Sequence, residues 1–230
     1  MKPVLPLLLL AAGCVTETGN PELDVELRAT ATSSTDRVAV ASLPTLRVEQ
    51  AWVNIEEVRL VQADVCDTPP ETEHEVEGPF PTDLVATSPE AIQIPAVEGN
   101  YCRLRVELDK GGSGALSDLS IFVAGTRGDG VPFEIRTDEV FELDVRGAGS
   151  GFPLDQTGRQ LLLGFDMSAW LGDIGLEDAT PDGGVVLVDD EHDDTLLEAF
   201  EEAVEAALGL WDDRDGDGDL DDDDDRLDDD

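Results

Sequence analysis

The segment that most restricts the fold lies at 101–108. Cys102, Leu104, Val106 and Leu108 alternate with Arg103, Arg105, Glu107 and Asp109. A period of two places the first set on one face of a strand and the second on the other. Turn residues bound it: Glu98-Gly99-Asn100 before, Lys110-Gly111-Gly112-Ser113-Gly114 after. Similar runs at 91–94, 119–124, 131–135, 140–145, 160–165 and 185–188 are separated by glycine-rich breaks such as 125–130 and 147–151. A longer run, 45–63, slips around Gln50-Ala51 and Glu56-Glu57 in the way a bulge absorbs. Many short strands between glycine turns predict a mostly β chain. The expected architecture is an antiparallel β-sandwich, immunoglobulin-like or transthyretin-like, over 35–190. About 155 residues suffice for one core and not for two.

Two segments read differently. Residues 15–34 are rich in Thr, Ser and Glu and read as a tether, 14–34, although 23–27 alternates well enough for a first strand. Over 195–211, Leu196, Leu197, Phe200, Ala203, Val204, Ala207, Leu208 and Trp211 recur at three and four, predicting an amphipathic helix. Asp193, Asp194 or Thr195 can cap it. A short helix is expected from Asp166, with Trp170 and Leu171, like Trp52, as core anchors.

Fifty-four acidic side chains against fourteen basic ones give a formal charge of −40. Nucleic-acid phosphates need a basic surface, so DNA and RNA are excluded as partners. No G-x-S-x-G, H-E-x-x-H or phosphate-binding loop occurs, and carboxylate pairs are too common to single one out. Arg127-Gly128-Asp129 is the tripeptide of integrin-binding loops, but three residues in a glycine turn are read as a turn. His74 and His192 are read as histidines of acidic loops.

The chain opens Met1-Lys2-Pro3, continues apolar through Ala12, and reaches Gly13-Cys14. The apolar run falls short of the roughly 20 residues a spanning helix needs. It resembles a bacterial lipoprotein signal peptide, 1–13, with Ala11 where the pattern has leucine. The resemblance implies that Cys14 becomes the lipidated first residue and anchors the protein to a membrane. Val15 follows, without the aspartate linked to inner-membrane retention, which implies the outer membrane of the cell envelope. An ordinary secretory signal is the other reading. Cys66 and Cys102 then remain, and in an exported chain two thiols predict one disulfide.

Thirteen aspartates and two arginines lie between Asp212 and Asp230. Such a block reads first as a solvated tail. A finer register lies within it. With Asp213 as position 1, Asp215 and Asp217 fall at 3 and 5, Gly218 at 6, Asp219 at 7, Leu220 at 8, Asp221 at 9 and Asp224 at 12. This resembles the calcium loop of an EF-hand, and equally the aspartate-rich calcium repeats of the dockerin kind. Asp224 stands where glutamate is usual, and the six residues after it cannot make an exit helix. The resemblance implies one structural calcium ion, bound in the millimolar to submillimolar range.

As a whole, the lipobox, the β-rich body, the Tyr101-Cys102 strand start and the 215–220 ending resemble uncharacterised secreted lipoproteins of myxobacteria and relatives. The expected protein is a non-catalytic, lipid-anchored envelope module with a structural calcium loop in a C-terminal unit, 191–230, and an envelope protein or glycan as partner. Two alternatives stay open. One is a carbohydrate-binding or adhesion sandwich with an aromatic platform around Trp52, Tyr101 or Trp170 and a merely solvated tail. The other is a hydrolase with a carboxylate of raised pKa in a deep cleft.

Overall fold

The computed structural model describes residues 22–32, 46–69, 71–155, 159–172, 174–216, 220–221 and 224–228. The signal segment 1–13 and Cys14 lie outside them, as do Asp217, Gly218 and Asp219 of the acidic loop.

The chain is a sandwich of two sheets. The strands are β1 (Glu22–Thr32), β2 (Leu46–Gln62), β3 (Thr72–Asp83), β4 (Ile92–Val97), β5 (Gly99–Leu108), β6 (Ile121–Arg127), β7 (Pro132–Thr137), β8 (Phe141–Arg146), β9 (Phe152–Leu154), β10 (Arg159–Asp166), β11 (Val186–Val188), β12 (Leu208–Asp212) and β13 (Asp225–Arg226). One sheet has the order β13-β12-β10-β1-β4. The other runs β11-β7-β6-β2-β5-β8, with β3 on β2 and β9 on β5. Most pairs are antiparallel; β1 with β10 and β7 with β11 are parallel. The predicted β-sandwich is the observed one.

The long strand β2 organises the larger sheet. Its register shifts between Val48 and Gln50 against β6, and between Ile55 and Glu57 against β3 and β5, where the sequence slips. Ile55 pairs with Leu108 and Val53 with Ile121, so β5 and β6 lie end to end along one edge of β2. Asn54 spans the junction: its amide donates to Ser120 O and its carbonyl accepts Asp109 N–H. Leu104, Val106 and Leu108 of β5 point into the core, while Arg103 and Arg105 lie on the outer face.

Strand β3 corrects the loop expected around His74. It alternates acids rather than apolar residues, because one face is solvent and meets arginines. Glu71 and Glu73 pair with Arg103 and Arg105 at 2.6 and 2.9 Å, and Glu75 sits 3.8 Å from Arg59. His74 is half-buried, its Nε2 3.3 Å from Gln62 Oε1, and burial lowers its pKa.

The ends of the chain also differ from expectation. Strand β1 sits inside the smaller sheet between β10 and β4, with Val25 and Leu27 fully buried, so these residues are core and not tether. Helix α1 (Met167–Gly172) forms where expected. Helix α2 is Asp194–Ala206, capped by Asp193, whose carboxylate accepts Leu196 N–H at 3.3 Å. The predicted continuation to Trp211 does not occur. Leu208 belongs to the helical stripe with Trp211 but also makes a period of two with Leu210, and the edge of β10 offers backbone partners for a strand. There Gly209 pairs with Gly164 and Trp211 with Leu162. The sandwich therefore runs past the expected boundaries at 34 and 190. Trp170, fully buried, packs edge-on between Phe165 and Phe200 and joins α1 to α2.

Cys66 and Cys102 form the predicted disulfide, with Cα atoms 5.3 Å apart. Gly151 closes over it: a Cβ there would lie 2.3 Å from Tyr101 O and 3.1 Å from Cys66 Sγ, at φ +88. Only glycine suits such a position.

Candidate functional site

The acidic loop 213–224 is held between two strands. Strand β12 enters it and β13 leaves it, with Trp211 opposite Arg226 and Asp212 opposite Asp225. This is a strand–loop–strand arrangement, in place of the helix expected before the loop. The exit continues beyond β13: Leu227 N–H donates to Leu210 O at 2.8 Å, and Ala148 N–H to Leu227 O at 2.7 Å.

The loop's ends are tied to each other. Asp213 and Asp224, positions 1 and 12 of the register, are both buried, at 3% and 4% exposure. Asp224 Oδ1 accepts Arg214 N–H at 3.2 Å and its Oδ2 accepts Asp221 N–H at 3.0 Å. Asp213 Oδ1 accepts Gly216 N–H at 2.8 Å, closing a tight first turn in which Gly216 has φ +77. Leu220, the apolar position, is buried at 5% exposure. Asp215 and Asp221 complete the described carboxylates of the predicted set.

The electrostatics follow from this geometry. Burial pushes the Asp224 carboxyl above its ordinary value, against its two backbone hydrogen bonds, and repulsion from Asp221 and Asp215 adds to it. Cations from the sheet offset part of the charge. Arg159 forks onto both oxygens of Asp212 at 2.8 Å. Arg28 Nη1 donates to Gly216 O at 3.0 Å and lies 3.5 Å from Asp213 Oδ2. Arg214 pairs with Asp225.

Among the described residues no three carboxylate, histidine or cysteine side chains gather closely enough to hold a metal ion. The described side chains of the set, Asp213, Asp215, Asp221 and Asp224, carry carboxylate oxygens, the donor type a hard divalent cation takes. Asp215 and Asp221 both repel Asp224, and the Arg28 guanidinium lies against Asp213. Sequence reasoning missed Arg28 and Arg159. Both lie far along the chain and become neighbours of the loop only through strand pairing.

Other candidates resolve structurally. Arg127 is 8% exposed; it donates to Leu176 O and Ala179 O at 3.1 and 2.7 Å and pairs with Asp129, so the Arg-Gly-Asp turn buries its arginine. Tyr101 is fully buried, its hydroxyl donating to Val97 O at 2.8 Å, and Trp170 is fully buried too. Neither offers a platform for a sugar; Trp52 is half-buried. His192 Nδ1 lies 2.7 Å from Asp189 Oδ1, which raises the His192 pKa. A hollow of about 350 Å³ beside the loop is lined by Trp211, Leu220, Arg226 and Asp166 among others. Another, of about 430 Å³, lies on the outer face among Glu57, Arg59, Arg105 and Glu142.

Comparison of the chain with protein-family models, curated proteins and solved structures finds no match.

Proposed function

We propose that the protein is a lipid-anchored component of the cell envelope, held at the outer membrane through Cys14, whose β-sandwich is a non-catalytic module stabilised by one calcium ion in the loop 213–224. Asp213, Asp215, Asp217 and Asp224 would supply carboxylates, Asp219 its carbonyl, and Asp221 a water-mediated contact. The ion would neutralise mutually repelling charge and fasten the last strand pair. The surface of the sandwich then remains for an envelope protein or glycan.

The observation that carries this reading is Asp224. It is buried, tied to the start of the loop through Arg214 N–H, and surrounded by further negative charge. A simply solvated tail would leave its carboxylates in water, where ionisation is cheapest. Calorimetric titration of calcium into the wild-type chain should give saturable heat that Asp213→Asn, Asp215→Asn and Asp217→Asn together abolish. The same heat in the triple variant would sink the site. Cys14→Ser should move the protein from the membrane fraction to the soluble fraction.

A further inference from the structure

Arg28 lies on β1, and its side chain, 19% exposed, reaches the first turn of the acidic loop. Its Nη1 faces Gly216 O at 3.0 Å and Asp213 Oδ2 at 3.5 Å, while Nη2 donates to Glu26 Oε2 at 3.3 Å. Gln160, on the neighbouring strand β10, holds the same turn from beneath. Its carbonyl accepts Asp213 N–H at 3.0 Å, and a Cβ on Gly216 would come within 2.1 Å of its Oε1. Gln160 Nε2 in turn donates to Glu26 Oε2 at 3.3 Å. The first turn is thus fixed to the sheet by the Arg28 guanidinium and the Gln160 backbone carbonyl, with Glu26 accepting from both side chains.

The two oxygens of Asp213 therefore face different partners. Oδ1 serves the loop's own Gly216 amide, and Oδ2 faces Arg28. Asp213 is also the first ligand of the calcium register. A dication on its carboxylate would sit within a few ångströms of a fixed positive charge. Coulomb repulsion at that distance is unfavourable even where water screens much of it.

We infer that Arg28 is the loop's resident cation: it holds the first turn in place without metal, and calcium competes with it for the Asp213 carboxylate. The inference rests on the calcium reading above and adds its regulation. Arg28 sets the affinity low, toward extracellular calcium levels, and keeps the acidic turn docked when calcium is scarce. A metal-free loop without Arg28 would hold more uncompensated charge, attract calcium more strongly and dock less firmly.

The test is calorimetric titration of calcium, at fixed ionic strength, into the full wild-type chain, Arg28→Gln and Arg28→Lys, with melting temperatures in chelator and in calcium. Arg28→Gln should bind calcium about tenfold more tightly. It should melt lower than wild type in chelator and gain more from calcium. Arg28→Lys keeps the charge and should bind with nearly wild-type affinity. Wild-type binding with Arg28→Gln no tighter would make Arg28 a scaffold only, overturning the competition while leaving the calcium reading standing. Equal tightening in Arg28→Lys would likewise overturn it, because charge would not be the cause. Absence of calcium heat in all three chains would overturn the calcium reading and this inference together.

Discussion

Gly147 and Asp228 pair as an antiparallel bridge, and that pairing carries the C-terminal segment from one sheet onto the other. Gly147 follows β8 of the larger sheet, while Asp228 follows β13 of the smaller one. The Asp228 carboxylate, on a residue 8% exposed, accepts Leu210 N–H at 2.9 Å and pairs with Arg226 at 2.9 Å. An acid in the last residues of an aspartate block thus acts as a backbone acceptor closing an edge of the sandwich.

Asp228→Ala removes that acceptor and leaves the buried Leu210 amide without it. The expected loss is about 1–3 kcal/mol in urea unfolding. Alanine at Asp225, which is exposed, should change stability by less than about 0.5 kcal/mol. Equal effects at the two positions would mean that the bridge contributes nothing beyond charge.

The Cys66–Cys102 bond joins the chain just after β2 to the start of β5 across 36 residues. Cys66→Ser with Cys102→Ser should lower stability by about 2–4 kcal/mol. Wild-type protein unfolded under reducing conditions should match the double variant. A variant as stable as oxidised wild type would show the bond to be redundant with the packing around it.

How far the fold was legible depended on which face each strand shows to the core. β5 could be read because Leu104, Val106 and Leu108 meet the core while arginines meet solvent. β3 could not, because its acids answer arginines on β2 and β5, a pattern that one strand alone does not contain. β12 was hidden for another reason. Leu208 fits a helical stripe with Trp211 and a period-two strand with Leu210, and the choice falls to pairing with β10. The acidic run could be read from composition, but the approach of Arg28, 185 residues away from Asp213, could not.

Trp211 is the natural reporter of this region. Its indole lies over two paired glycines: a Cβ at Gly164 would come within 2.5 Å of the ring, and one at Gly209 within 2.3 Å. Arg226 sits 5.5 Å from the ring centroid. Gly164→Ala must displace the ring or the strand, at a cost of about 1–3 kcal/mol, with red-shifted tryptophan emission. Calcium addition to wild type should change the emission, because Leu220 of the loop lines the same hollow as Trp211. Trp211→Phe should abolish the change, since Trp170, on α1, is fully buried between Phe165 and Phe200 and Trp52 lies on the other sheet. Persistence of the change in Trp211→Phe would place its source elsewhere.

Asp224 sets the pH dependence of the loop. Its folded pKa is raised above the ordinary 3.8 by burial, with Asp221 and Asp215 adding repulsion. In chelator, the sign is that of a group favouring its neutral form in the fold. Its stabilising contribution is present below 3.8 and is lost as pH rises through the raised value. Calcium opposes this, because it binds the ionised carboxylate. Calcium affinity should therefore weaken as pH falls through the raised value, at a higher pH than ordinary aspartates would produce. Titrations at stepped pH from 7 downward check this. An affinity that held constant until the ordinary carboxylate range was reached would show that the buried Asp224 carboxylate is not a calcium ligand, and would leave the ion to the remaining aspartates of the loop.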